Sequence, residues 1–161
     1  MNITKTYLQK KYNYRDGNLF YKESTGNRAA GDMVGTSDEN NYVRARIDYR
    51  KYQLHRLIWI YHYGKIPAKK QIDHINNNLR DNRIENLRLA SHGENMRNSK
   101  IRIQNKSGIK GVSWHHKMKK YQASISLNYK SYHLGYYDTK EEAAVAYARA
   151  AKKLHKEFAK L

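Results

Sequence analysis

Gln71-Ile-Asp-His-Ile-Asn-Asn-Asn-Leu-Arg-Asp-Asn-Arg-Ile-Glu-Asn-Leu-Arg-Leu-Ala-Ser-His-Gly-Glu-Asn95 is the stretch that decides how the rest of the chain is read. A short apolar start ends in the neighbours Asp73 and His74, and a loop rich in Asn and Asp follows. Ile84, Leu87 and Leu89 mark a second extended piece. Ser91 and Glu94 then have the spacing of a capping box, which opens a helix and sets His92 and Asn95, three residues apart, on one face. The order is strand, loop, strand, helix. A carboxylate and an amide oxygen are hard donors that suit Mg²⁺ or Mn²⁺, ions that keep several of their own waters. A neutral His beside them can take a proton from water near pH 7. That combination fits phosphodiester hydrolysis.

His55-Arg-Leu57, Asp73-His74, Asn82, Asn86 within Asn-Arg-Ile-Glu-Asn-Leu, and Glu94-Asn95 together resemble the HNH homing endonucleases of the phage type. The resemblance runs from His55 to Asn98. It implies a ββα-metal core in which Asp73 and Asn95 hold a divalent ion and His74 is the general base. Asn86 is implied to brace the loop and orient the His. Asn95 stands where the family name has a His, and His92 is the alternative for that role. His55 is expected to support the site from behind rather than to ligate.

Thirty-two Lys and Arg against 14 Asp and Glu give a net charge of +18. Residues 1–50 carry 9 basic and 6 acidic side chains, 51–107 carry 12 and 4, and 108–161 carry 11 and 4. Such a surplus favours a polyanion through phosphate contacts and counterion release, and it sits mainly in the last two thirds. There is no Cys, which removes disulfides and thiolate zinc sites. No apolar run spans a membrane and no signal peptide is legible, so an intracellular protein is expected; the resemblance to phage-type enzymes implies a phage protein acting in the host cytoplasm. Fifteen Tyr against two Phe suit small cores whose edges meet water or phosphate.

Residues 1–10 read as a polar, basic lead-in. Asp16-Gly17 between aromatic arms predicts a hairpin over Tyr12 to Tyr21. Lys22 to Asn41 reads as loop with a short strand near Met33-Val34. From Tyr42 the chain alternates, Val43, Ala45 and Ile47 against Arg44 and Arg46, and Lys51 to His55 is expected to pair with it across Tyr49-Arg50. A helix apolar nearly all round opens at His55 or Arg56 and stops at Gly64. Lys65, Lys69 and Lys70, just before Asp73, are placed to grip phosphates, with Arg88 on the second strand. Residues 99–107 read as a basic linker between a nuclease domain, 1–98 (sheet 1–54, catalytic core 55–98), and a last domain, 108–161.

That last domain shows three strands and a helix. Thr139 and Glu142 form a capping box, and Ala143, Tyr147, Ala150, Leu154 and Phe158 make an apolar stripe behind it. Gly111-Val112, Leu134-Gly-Tyr-Tyr-Asp-Thr139 and Glu141-Glu-Ala-Ala-Val-Ala-Tyr147 resemble the APETALA-two/ethylene-response-factor DNA-binding domain. The family's binding face uses Arg and Trp; here the matching face holds Ser113, His115, Ser124, Ser126, Ser131 and His133, with Gln122 among them. Lys117, Lys119 and Lys120 would hold phosphates.

The whole is expected to be α+β: a small N-terminal antiparallel sheet and helix leading into the ββα-metal core, then a three-stranded antiparallel sheet packed on one helix. The function expected is site-directed cleavage of double-stranded DNA with Mg²⁺ or Mn²⁺, and the resemblance implies a 5′ phosphate and a 3′ hydroxyl as products. A monomer would nick and a homodimer would break both strands. The competing class is a non-enzymatic DNA-binding regulator with an inert nuclease fold. A third, an RNA binder, would use the many Tyr for stacking.

Overall fold

A computed structural model describes residues 3–98, 101, 105–128 and 130–159. The chain divides into two compact units, Met1–Ser91 and His92–Leu161. Of the expected linker, residues 99, 100 and 102–104 lie outside the described ones.

The first unit opens with helix α1 (Lys5–Lys11), where the sequence shows only a polar lead-in. Its seven residues are too few to display a period. Its start is fixed by Thr4, whose Oγ1 accepts from the Tyr7 N–H at 3.1 Å, and Leu8 anchors it in the core. Strands β1 (Tyr12–Arg15) and β2 (Asn18–Tyr21) form the expected hairpin about Asp16-Gly17. The short strand expected at Met33-Val34 is a single bridge from Met33 to Phe20; the ladder proper is β3 (Thr36–Ser37). Gly35 explains the shift. Its φ of +94° turns the chain, and a Cβ there would lie 2.7 Å from the Arg44 carbonyl oxygen, so only glycine lets β3 reach its partner.

β4 (Val43–Ile47) and β5 (Arg50–Gln53) complete a three-stranded sheet in the order β3-β4-β5. Ala45 and Ile47 are buried while Arg44 and Arg46 face solvent, as the alternation requires. The turn is Asp48-Tyr49, one residue earlier than expected. Helix α2 (Leu54–Tyr63) starts one residue early and ends at Gly64, whose φ is +84°. It is less uniformly apolar than it reads: Leu54, Leu57 and Ile58 are buried, whereas Arg56 and Tyr63 are exposed. These join Leu8, Tyr12, Leu19, Val34, Ile72 and Leu87 in one core, so the hairpin of β6 (Lys70–His74) and β7 (Leu87–Ser91) is packed from behind.

The second unit begins with α3 (His92–Asn98). Asn105 and Ser107 tie the following turn to the carbonyls of Ile109 and Val112. Strands β8 (Val112–His115), β9 (Lys120–Leu127) and β10 (Lys130–Tyr137) form an antiparallel sheet with β9 central. Helix α4 (Lys140–His155) covers one face, and its capping box is made on both sides, Thr139 Oγ1 accepting from Glu142 N and Glu142 Oε2 from Thr139 N. The expected stripe is borne out, with Ala143, Tyr147 and Phe158 buried and Ala150 and Leu154 half-buried against the same core, and Ala151 and His155 join it as further buried positions. Gly111 sits so close beneath α4 that a Cβ would lie 2.1 Å from the Tyr147 ring.

Candidate active site

Twelve residues separate His74 from Leu87, and the loop they form is built from its own side chains. Asn86 accepts from the Asn76 N–H and donates to Asn76 Oδ1 and the Asp81 carbonyl. Asn76 Nδ2 donates to Asp81 Oδ2 at 2.8 Å, and Arg83 grips both oxygens of Asp81, each at 2.8 Å. The hydrogen bonds from Arg83 and Asn76 outweigh partial burial and hold the Asp81 carboxyl down to about 2. Short amides and carboxylates serve here because each can stand in for a missing backbone partner. Asn77 takes the left-handed conformation, with φ +59°.

The loop is also braced from outside. The Ile84 N–H donates to the Tyr14 hydroxyl at 3.0 Å, and Arg80 donates to Asn41 Oδ1 at 2.8 Å. Gly17, at the tip of the β1–β2 hairpin, abuts the backbone of Asn82 and Arg83.

Asp73 and His74 end β6, and both are about 5% exposed. Successive strand residues face opposite sides, so the two side chains have different neighbours. Asp73 lies across from Arg88, whose Nε donates to its Oδ2 at 2.9 Å. Arg88, expected on a phosphate, is thus tied to the carboxylate. His74 Nε2 lies 3.0 Å from Asn82 Oδ1, and the His55 ring meets it edge-on. The amide against the imidazole is therefore that of Asn82, while Asn86 closes the loop; the sequence reading gave both tasks to Asn86. Burial, with His74 and Arg56 nearby, pushes the His55 imidazole down to about 3, so it is neutral. The Tyr42 ring lies 5.7 Å from it. Lys69, in the left-handed region, and Lys70 are exposed at the entry to β6. His92 and Asn95 belong to α3 of the second unit.

Among the described residues no three His, Cys, Asp or Glu side chains gather as a metal cage. A hard ion held by two protein oxygens and water does not need one. Asp73, buried and fixed from Oδ2, suits that role in chemistry and in rigidity.

The sequence comparisons follow the same lines. A family profile described as HNH endonuclease matches residues 52–97, and one described as AP2 domain matches residues 107–157. Protein 3.8 of Escherichia phage T7 is 33% identical over 112 residues, which is 70% of this chain and 92% of that protein. The chain belongs to the HNH endonuclease family. The uncharacterized HNH endonuclease L560 of Acanthamoeba polyphaga mimivirus is 37% identical over 113 residues, 70% of this chain and 58% of that protein. No solved structure matches significantly. As an HNH protein with an AP2 domain, the chain is a nuclease that binds DNA. Among the described residues no helix is long and apolar enough to cross a membrane.

The AP2 sheet of this HNH protein presents an aromatic cluster that the sequence reading passed over. Tyr136 lies 5.1 Å from the His115 ring and 4.6 Å from that of His133, and Gln122 Nε2 approaches His133 Nδ1 at 3.3 Å. Ser124 pairs in register with His133. Lys117 and Lys119 are exposed in the β8–β9 turn, whereas Lys120 meets Asp138 at 3.0 Å. His115 Nδ1 accepts from the Met118 N–H, which pins that turn.

Proposed function

We propose that the chain is a site-directed, divalent-metal-dependent endonuclease of duplex DNA, of the homing type. The observation that carries this reading is the buried His74 held between Asn82 and His55, next in sequence to a buried, oriented Asp73. The Asn82 contact at Nε2 fixes the orientation of the ring, and the imidazole serves as the base. His74 takes the proton of a water that attacks phosphorus, and the neutral His55 behind it does not compete as a cation. Asp73 and Asn95, with His92 as the alternative to Asn95, would hold Mg²⁺ or Mn²⁺. The bound ion would supply charge stabilisation at the phosphate and the departing 3′ oxygen. Lys69 and Lys70 would hold the phosphates beside the cut, and His115, Lys117, Lys119, Lys120, Gln122, Ser124 and His133 would take the duplex on the second unit. One such site nicks one strand per encounter, so a double-strand break needs a second visit or a homodimer.

Relaxation of supercoiled plasmid tests this. Wild type should nick with Mg²⁺ or Mn²⁺ and stop with EDTA, and His74→Ala should be slower by roughly 100-fold or more. Equal rates for the two proteins would remove His74 from the mechanism. No cleavage of any DNA would leave a DNA-binding regulator.

A further inference from the structure

Ile47 and Arg50 are paired residues of β4 and β5, so Asp48 and Tyr49 alone make the turn between them. Both lie in the left-handed region, with φ +46° and +64°. That is the two-residue turn whose twist suits a hairpin, and it favours Asn and Gly. A residue with a Cβ is held there at a cost of about 1–2 kcal/mol. Tyr49 recovers nothing by burial, being 91% exposed, more than any other large hydrophobic residue among those described. A bulky side chain at strained backbone, standing in solvent, calls for a partner outside the fold.

The surroundings say which partner. Tyr49 borders an open groove of about 920 Å³ whose walls carry Arg28, Arg44, Arg46 and Lys51 against Asp38 and Asp48. Asp38 is already engaged by Arg44 and by the N–H groups of Asn40 and Tyr42. The Arg46 guanidinium lies 5.8 Å from the Tyr49 ring centre. Arg46 and Lys51 stand directly opposite each other in the ladder. Like charges so paired lower stability on their own and are relieved by a polyanion.

We propose that the β4–β5 hairpin is a further DNA-contact surface, on which Tyr49 wedges its ring into a groove of duplex DNA while Arg46 and Lys51 hold the flanking phosphates. A two-stranded ribbon has a width that a duplex groove admits, and a side chain at its tip can insert between base steps, where its ring takes the place of a stacked neighbour. The choice of DNA as partner rests on the nuclease reading, but the contact itself is independent of cleavage.

The experiment measures binding of the full-length chain to a labelled linear duplex by anisotropy, in EDTA so that nothing is cut, with Tm recorded for each variant. Tyr49→Gly should weaken binding roughly 5- to 100-fold while Tm stays level or rises, since glycine suits the turn. Tyr49→Phe should bind within about twofold of the parent, because stacking needs the ring and not the hydroxyl. Arg46→Ser combined with Lys51→Ser should flatten the plot of log affinity against log salt by about 1.8. Unchanged affinity in Tyr49→Gly, a loss seen only with a lowered Tm, or a preference of the parent for single-stranded RNA in competition would each overturn the proposal. A chain that passes these tests yet never cuts DNA leaves the hairpin assignment standing and removes the nuclease.

Discussion

The His55 and His74 rings meet edge to face, 4.9 Å between centres and 74° between planes. Two imidazoles this close, both buried, cannot both be charged cheaply. His55 is held neutral, by burial first and then by His74 and Arg56.

Acid should therefore unfold the first unit through His55. Its folded pKa of about 3 lies below the unfolded value, so the stabilisation is complete above about pH 6.5 and is lost as pH falls toward 3, at about 1.4 kcal/mol per unit. Urea unfolding near pH 7 and near pH 5 should show a shallower acid loss in His55→Phe than in wild type. Residual slope in the first unit will come from His62, also pushed down by burial. Identical slopes would mean that His55 is not the group that titrates.

Asn82→Ala should slow plasmid nicking by roughly 10- to 100-fold, a part of what a positioned base contributes. Its Nδ2 is buried without a hydrogen-bond partner among the described residues, but truncation also strips the buried His74 Nε2 of its hydrogen-bond partner, so stability should fall by about 1–3 kcal/mol. Duplex binding in EDTA should be unchanged. A wild-type nicking rate would show that His74 needs no help from this amide.

Gly17→Ala should cost about 2–3 kcal/mol of stability. The new Cβ would lie 2.6 Å from the Arg83 nitrogen and 2.9 Å from the Asn82 carbonyl carbon, backbone atoms that cannot swing aside. Gly26 has a similar positive φ with nothing within 4 Å, so Gly26→Ala is the control, expected to lose only about 1 kcal/mol. Equal losses would mean that Gly17 matters for its backbone angle alone and does not brace the loop.

Thr139→Ala should destabilise the second unit by about 1 kcal/mol, because both hydrogen bonds of the capping box depend on that residue's placement. Thermal unfolding of the full chain, followed by helix signal, reads this directly. A Tm equal to wild type would show that packing of Ala143 and Tyr147 suffices to start the helix.

Legibility in the sequence followed the range of the interaction. Alternation in Val43 to Ile47, the Asp16-Gly17 turn and the Thr139–Glu142 box are local patterns, and each appears where its residues place it. Helix α1 escaped notice because seven residues with one buried side chain carry no period. The buried stripe of α4 ends in His155, whose Nε2 meets the Ser126 carbonyl 29 residues earlier, so polarity hid a core position. In the site, the type and order of Asp73 and His74 were readable, but the choice among several loop amides was not. Asn82 lies eight residues from His74, and only the closed loop brings them together. The hydroxyl of Tyr14, 70 residues from Ile84, left no trace at all in the local pattern.

That last bond has a practical corollary for anyone wishing to borrow the cutting module. Excising residues 52–97 as a cassette for a chimeric enzyme would leave behind both the phenol that caps Ile84 and the hairpin tip that shores up Arg83. The transplant would keep every residue of the signature and lose the scaffold that sets their spacing, so the smallest portable version of this nuclease must begin upstream of Tyr12.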